Sequence, residues 1–384
     1  MSFLHKLRKF PSKLHISTRC MLIIVALMIV LNVIAWCSTT FSDWYAETVF
    51  PAISRVFSQI WGHLSFSVGE IMIAIAILLV IGGLVAWIIL MIVKKGKRWK
   101  ISCIFGRIAG WILTFVFVTE TCNCFVLYHA TSFGEKYFTV QTYTNEELLT
   151  LYTDLVDIAN DLSTQVERDE DGNFILQDDL YTTASKAMQN LGQTYTFLQG
   201  EYPLPKPIAA SYLMSQMRLT GIYFPFSLEA NYNADMMDIN LPDTICHEFS
   251  HLRGVIQEDE AGFISFLACI QSESIDFQYS GVISALEYVQ NALISGNVAD
   301  IDDALNARTD GVQQDMFSFV PEDYWEEKQE TVPVLIATET VQTVSDTAMD
   351  TSLKLNGVED GKQSYSRIVN LLLAYWDSLG YFNT

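Results

Sequence analysis

Three long apolar runs, separated by short polar segments, dominate the first third of the chain. They cover positions 20–38, 71–93 and 101–127, and each is close to the ~20 residues that a helix needs to cross a bilayer. We therefore predict a membrane anchor of three transmembrane helices over residues 1–127. A cleaved signal peptide is the alternative for the first run, but the run is long for that role and lacks a small-residue cleavage site. Residues 41–66 are expected to form a loop.

Beyond residue 128, apolar positions recur at helical spacing instead of in unbroken runs. This pattern predicts helices over residues 142–165, 180–198, 272–295 (interrupted at 279–281), 332–355 and 363–381. Residues 202–207 read as an extended linker. The stretch 221–240 favours one or two short strands, with Tyr223–Asn233 as a candidate edge strand. The predicted fold class is mainly α, with three N-terminal transmembrane helices and then a mostly helical domain, residues 128–384, that contains a short β hairpin or edge strand.

Charge divides the chain into the same two parts. Through Tyr128 there are twelve Lys and Arg against four Asp and Glu, whereas the rest has eleven against forty, a net charge of −29. The basic residues cluster at the N-terminus and at 94–100, and the positive-inside rule places both segments in the cytoplasm. Three spans then place the acidic domain outside the cell. Nucleic acid is an unsuitable partner for this domain, because its phosphates require basic surface.

Glu120 lies deep inside the third apolar run. A carboxyl group in a membrane span requires a partner, a wet cavity or a proton. It either lines a pathway or contacts a substrate, or it is satisfied within the helix bundle or near the interface. The pattern alone favours the second interpretation.

The sequence His247-Glu248-Phe249-Ser250-His251 is the HExxH pattern. Residues four apart share a helix face, so both imidazoles can reach one metal ion. Zn²⁺ accepts such nitrogens and leaves a position for water, from which Glu248 can take a proton. The motif predicts a catalytic zinc site. Asp243 or Thr244 is expected to cap its helix.

The third ligand of such a site can be narrowed by elimination. No histidine follows His251, and the other four lie in or beside the membrane region. A local ligand is therefore a carboxylate, and the candidates are Glu258, Asp259 and Glu260. Seven residues of continuous helix would separate Glu258 from His251 by about 10 Å. We therefore expect the chain to break at Gly254 and a second helix to return the acid to the metal.

HEFSH followed by EDEAGF resembles the gluzincins, in which a glutamate on the next helix completes the zinc site. This resemblance implies Glu258 as the ligand, with Gly262 where an aspartate is usual. The chain also resembles an uncharacterised bacterial membrane family, the DUF3810 group. The residues that carry this second resemblance include GIYFPFSLEANYN, QYSG and NGVEDGKQSYSRIVNLLLAYW. Both resemblances imply a metallopeptidase in a bacterial cell membrane.

Two departures from known zinc patterns matter. Gly262 removes a carboxylate that would orient a histidine, so another acid must take that part. HExxHxxG also resembles the metzincins, but Gln257 stands where their third histidine would be.

Tyr279 is a candidate donor to a tetrahedral oxyanion.

We therefore expect a membrane-anchored zinc metallopeptidase that hydrolyses peptides or envelope proteins, with Glu248 as general base. Two alternatives stay open. One is a non-catalytic envelope sensor or binding protein that retains a structural zinc site, and the other is a membrane scaffold without metal. The pattern leaves the choice between Glu258 and Glu260, the cleavage specificity and the oligomeric state undecided.

Overall fold

The protein is mainly helical, as the apolar pattern predicts. A computed structural model describes residues 15–139, 141–299, 301–331, 337–355 and 367–382. Three helical segments near the N-terminus are long and apolar enough to cross a membrane, namely Ile16–Cys37, Val68–Val93 and Lys95–Tyr137. The predicted fold class, including the short β hairpin, is confirmed.

The expected loop at 41–66 is largely helical, which corrects the sequence prediction. Tyr45, Phe50 and Ser54 are buried there, and Phe50, Ile53 and Phe57 recur at helical spacing on one apolar face. The helices of this first part are α1 (Ile16–Cys37), α2 (Thr39–Trp44), α3 (Phe50–Trp61), α4 (Val68–Val93), α5 (Arg98–Glu120), α6 (Val126–Tyr128) and α7 (Phe133–Tyr137). Five-residue π-helical turns, Tyr45–Val49 and Thr121–Phe125, precede α3 and α6.

The second part contains eleven helices and three strands within the described residues. Residues 332–336 and 363–366 of two predicted helices lie outside those residues. The elements are α8 (Asn145–Ser163), α9 (Leu180–Thr194), β1 (Lys206–Ile208), α10 (Ser211–Met217), β2 (Gly221–Phe224), β3 (Glu229–Asn233), α11 (Leu241–His251), α12 (Glu258–Ile270), α13 (Ile275–Ser295), α14 (Asp302–Asn306), α15 (Asp310–Asp315), α16 (Tyr324–Thr331), α17 (Thr338–Leu355) and α18 (Arg367–Ser378).

The small sheet has the order β1-β3-β2. β2 is antiparallel to β3, with Gly221 opposite Tyr232, and β1 is parallel to β3, with Lys206 opposite Asn231. The hairpin matches the predicted strand region. However, residues 206 and 207, which we predicted to belong to a linker, begin a strand, because β3 supplies a pairing partner that is distant in sequence. β2 pairs with β3 on one side only, so it is an edge strand.

A buried core surrounds the HExxH helix α11. This helix packs on α12, and both contact α9 and α13, while α8 and α18 cover α13. The predicted break between α11 and α12 is confirmed, with Gly254 at φ +90°, a conformation that favours glycine. The predicted cap is wrong, because α11 begins at Leu241 with Asn240 at the N-cap position. Asp243 therefore lies in its first turn.

Helix α13 runs without the predicted interruption. Gly281 lies within it, and a Cβ atom at that position would approach the Cβ of Cys269 to 2.5 Å. The glycine therefore permits close packing of α13 on α12 and does not end the helix. This packing fixes the α12 helix that carries the candidate third ligand.

Glu229 of β3 forms a buried ion pair within the sheet and also binds the start of α4. Lys206 Nζ lies 2.9 Å from Glu229 Oε1, and both side chains are almost fully buried. The Glu229 carboxylate also accepts hydrogen bonds from the backbone N–H groups of Val68 and Gly69, at 3.1 and 2.7 Å. Glu70 in turn accepts from two backbone N–H groups that follow β1. The sheet is thus held against the end of an apolar helix.

Candidate metal centre

The two histidines of the HExxH motif face the same point. Their ring centroids lie 4.8 Å apart, and ligand atoms of His247, Glu248 and His251 all lie within 4.8 Å of one another. His251 Nδ1–H donates to the Val255 carbonyl at 2.6 Å. A carbonyl can only accept, so this bond leaves the lone pair of His251 Nε2 for a metal.

Helix α12 brings Glu258 to the same point. Its Oε2 lies 3.0 Å from His247 Nε2 and 3.8 Å from His251 Nε2. The two neighbouring candidates point elsewhere, since Asp259 lies 3.4 Å from Arg367 and Glu260 accepts from the backbone of Gly134 at 2.7 Å. Of these three described carboxylates, Glu258 is the one that the break at Gly254 brings to the histidines.

This donor set fits a zinc ion. Two imidazole nitrogens and one carboxylate oxygen are a common catalytic ligand set, and tetrahedral bonds of 2.0–2.2 Å separate ligand atoms by roughly 3.3 Å. The measured distances of Glu258 Oε2 to the two imidazole nitrogens, 3.0 and 3.8 Å, bracket that spacing. Glu248 Oε2 is buried and makes no hydrogen bond within the described part of the chain. Such a buried oxygen is costly unless a further group satisfies it.

Burial and nearby charges shift the pKa values of His247, Glu248 and His251 in different directions. Burial opposes protonation of His247, but the hydrogen bond and charge of Glu258 outweigh it and raise the pKa of His247 to about 9. Burial lowers the pKa of His251 to about 4 and raises the pKa of Glu248 to about 8. Without a dication, therefore, burial favours the protonated form of Glu248, and a bound cation would favour release of that proton.

Asp243 is a site residue that sequence reasoning assigned only to helix capping. It lies one turn before His247 on α11, and the charges of the two residues interact. The hydroxyls of Ser265 and Ser284 donate to its two carboxylate oxygens at 2.6 and 2.9 Å. A Cβ atom at Gly262 would lie 3.9 Å from His247 Nδ1. The position where the gluzincin resemblance leads us to expect an aspartate thus faces His247, and Asp243 places a negative charge near the same histidine. The i, i+4 spacing between Asp243 and His247 is the sequence signal that could have indicated this role.

The centre opens into a cavity of about 740 Å³. The edge strand β2 forms one wall, and its Gly221 lies against Glu248. A Cβ atom at Gly221 would come within 2.8 Å of Glu248 Cγ, so glycine lets the strand approach the acid closely. The predicted edge strand lies beside the site, although β2 is the edge and β3 is internal.

Tyr279 does not belong to this cavity, which corrects its predicted role. It is fully buried, and its hydroxyl donates to Asp315 at 2.6 Å and accepts from Arg168 at 3.3 Å. Tyr288 lines the cavity instead. The two tyrosines are nine positions apart, which is two and a half helical turns, so they lie on opposite faces of α13.

The model for the family described as "Protein of unknown function (DUF3810)" matches residues 45–373, which is most of the chain. The chain belongs to the DUF3810 family. No curated protein and no solved structure matches it.

In this DUF3810 chain, the third apolar segment also reaches the cavity. Glu120, Cys124 and Tyr128 line it together with the histidines and Glu258. Cys124 and Tyr128 lie within electrostatic range of both Glu120 and Glu258. The structure therefore places Glu120 on a cavity wall, where its carboxyl has a hydrogen-bond partner in Cys124. Sequence reasoning favoured a carboxyl satisfied within the bundle or near the interface.

Proposed function

We propose that the protein is a membrane-anchored zinc metallopeptidase of the gluzincin type. The observation that carries this proposal is the convergence of His247 Nε2, His251 Nε2 and Glu258 Oε2 beside a buried oxygen of Glu248 that makes no hydrogen bond with any described residue. Two imidazoles and a carboxylate on consecutive helices are the ligand set of that class. The Asp243 carboxylate, which accepts hydrogen bonds from two serine hydroxyls, would orient His247.

Zn²⁺ held by His247, His251 and Glu258 would polarise the scissile carbonyl and lower the pKa of a water molecule toward ~7. Glu248 would accept the proton of the attacking water and pass it to the leaving amine. Burial raises the pKa of Glu248, and a bound dication would lower it again, so the carboxylate would be available as a base near neutral pH.

Two further walls of the cavity suit a peptide substrate. β2 is an edge strand, so an extended substrate can pair with its backbone and lie across Glu248. Tyr288 takes over the oxyanion role that was expected of Tyr279. Burial, together with the nearby carboxylates Asp243 and Glu258, raises its pKa, so the hydroxyl keeps its proton and can donate to a developing oxyanion.

The charge pattern supports a bacterial envelope location. Basic residues at the N-terminus and at 94–100 would face the cytoplasm, and the second part of the chain, with its net charge of −29, would then lie on the outer side of the membrane. Substrates would then be peptides or envelope proteins at that surface.

Zinc content and peptide digestion test the proposal together. Purified wild type should contain about one zinc per chain, and His247→Ala should contain almost none. Glu248→Gln should keep the zinc but lose at least ~10²-fold in turnover of a peptide library. Glu260→Gln is the matched control, because this buried acid of α12 points away from the cavity. It should keep both zinc and turnover.

Two results would contradict the proposal. A wild type without zinc would mean that the cluster is not a metal site. Zinc that depends on His247, combined with no digestion of any peptide by wild type, would indicate a structural or sensory zinc site.

A further inference from the structure

We propose that Glu120 is a specificity-determining residue, which selects a basic residue in the segment of the substrate that lies next to the membrane. This inference rests on the proposed function. Its basis is that one cavity joins a carboxyl group from an apolar helix to the candidate metal centre. The Glu120 side chain lies on the wall formed by α5 and α6, and the metal ligands lie on α11 and α12.

Glu120 lies near the membrane boundary. Helix α5 starts at Arg98, directly after the basic loop, and ends at Glu120. Its 23 residues extend about 34 Å, close to the ~30 Å of a bilayer's hydrocarbon core. If the basic loop is at one surface, Glu120 is at the other.

The sheet beside the cavity is held at the same boundary. Glu229 of β3 binds the first backbone N–H groups of α4, and Tyr223 of β2 donates to the Asn123 carbonyl, in the π-helical turn after α5, at 3.2 Å. These bonds join the sheet to two candidate membrane helices, one through β3 and one through the edge strand β2. A peptide paired with β2 therefore lies next to the bilayer, with one end directed toward Glu120.

The charges of the cavity favour a cation. Among the described residues that line it there are five carboxylates and one guanidinium, from Arg218. A dication at the histidines would offset the carboxylates around it and leave Glu120 as a negative group at the membrane side. A lysine or arginine in a substrate is the complementary group, and such pairing gives specificity more than affinity. Glu248, whose buried oxygen makes no hydrogen bond in the described chain, marks the reaction end of the same cavity.

The test uses the full chain in liposomes of phosphatidylethanolamine and phosphatidylglycerol. The probe is a quenched fluorescent peptide fused to a hydrophobic transmembrane helix, with a lysine moved stepwise through the segment next to the helix. Matched probes carry glutamine or glutamate at the same place, or lack the helix. For wild type, kcat/KM should be about tenfold higher with lysine than with glutamine at the best position.

Three variants assign this preference to a residue. Glu120→Gln should abolish the preference for lysine, and Glu120→Lys should favour the glutamate probe. Glu47→Gln is the control, because this exposed carboxylate also belongs to the first part of the chain but lies outside the cavity. It should keep the wild-type preference. Zinc content shows whether each variant has folded, and Glu120→Gln is decisive if Glu120→Lys does not fold.

A binding measurement separates failure of this inference from failure of the proposed function. Energy transfer from labelled probes to the inactive variant Glu248→Gln reports binding without hydrolysis, and adding Glu120→Gln to that variant should remove the lysine preference. Cleavage of all probes with equal kcat/KM would overturn the role of Glu120 and leave the peptidase intact. A lysine preference in binding without any wild-type cleavage would confirm Glu120 as a recognition residue and overturn the peptidase. A preference that survives in Glu120→Gln would overturn the inference directly.

Discussion

Replacing Asp243 with asparagine should weaken zinc binding while the fold is retained. The side chain accepts hydrogen bonds from Ser265 and Ser284 at 2.6 and 2.9 Å, and asparagine can keep the first of these through its carbonyl oxygen. What it loses is the negative charge beside His247. Removing an outer-shell carboxylate typically costs 10–100-fold in metal affinity, and we expect a loss of about that size.

The loss can be read as a change in zinc-dependent stability. With free zinc at 100 times the wild-type Kd, bound metal adds about 2.7 kcal/mol to the unfolding free energy, and a 10–100-fold weaker site would add only about 1.4 to 0.4 kcal/mol. The assay compares thermal unfolding with zinc and with a chelator, alongside competition against a chromophoric zinc indicator. Comparing the zinc-dependent increments cancels any effect of the substitution on the metal-free protein.

Asp276→Asn is the matched control for this experiment. Like Asp243, Asp276 is a hydrogen-bonded helical carboxylate: it is buried on α13 and accepts from the backbone N–H of Gln177 at 2.8 Å, but it does not line the cavity. Its substitution should leave the zinc increment unchanged. The reasoning would be refuted if Asp243→Asn bound zinc as tightly as wild type, or if both variants lost affinity equally.

Three further predictions concern the surroundings of the site. Gly221→Ala should lower kcat/KM by about 10²-fold with zinc retained, because the added methyl group displaces Glu248 and a shift of about 1 Å is enough for such a loss. Gly82→Ala, where a Cβ atom meets open space, should have no effect on either measurement. Burial raises the pKa of Glu260 to about 7, so the unfolded chain ionises first, and stability should fall between about pH 4.5 and 7 by at most about 3 kcal/mol. Glu260→Gln should reduce the slope in thermal unfolding measured across this pH range, while the contributions of Glu248 and Glu287, whose pKa values burial also raises, remain. An unchanged slope would contradict the assignment. Tyr279→Phe should destabilise the fold by about 1–3 kcal/mol by removing a buried hydrogen bond, while kcat/KM stays at the wild-type level. A large loss of turnover at unchanged stability would restore Tyr279 to the site.

Several features followed from the sequence alone because they are local properties of the chain. The length and apolarity of three runs predicted the candidate membrane helices, whose existence depends on about twenty consecutive residues. The i, i+4 spacing of His247 and His251 placed both on one face of a helix, and Gly254 marked its end. Each of these inferences requires only helix geometry and the conformational freedom of glycine.

The tertiary structure decided which faces meet. Helix periodicity predicts that Tyr279 and Tyr288 lie on opposite sides of α13, but it does not show which side faces the histidines. The direction of α12 after the break determines that Glu258, and not Glu260, reaches them. Asp243 belongs to the site because Ser265 of α12 and Ser284 of α13 hold its carboxylate. Such choices depend on packing between segments distant in sequence, and periodicity within one segment carries no information about its neighbour.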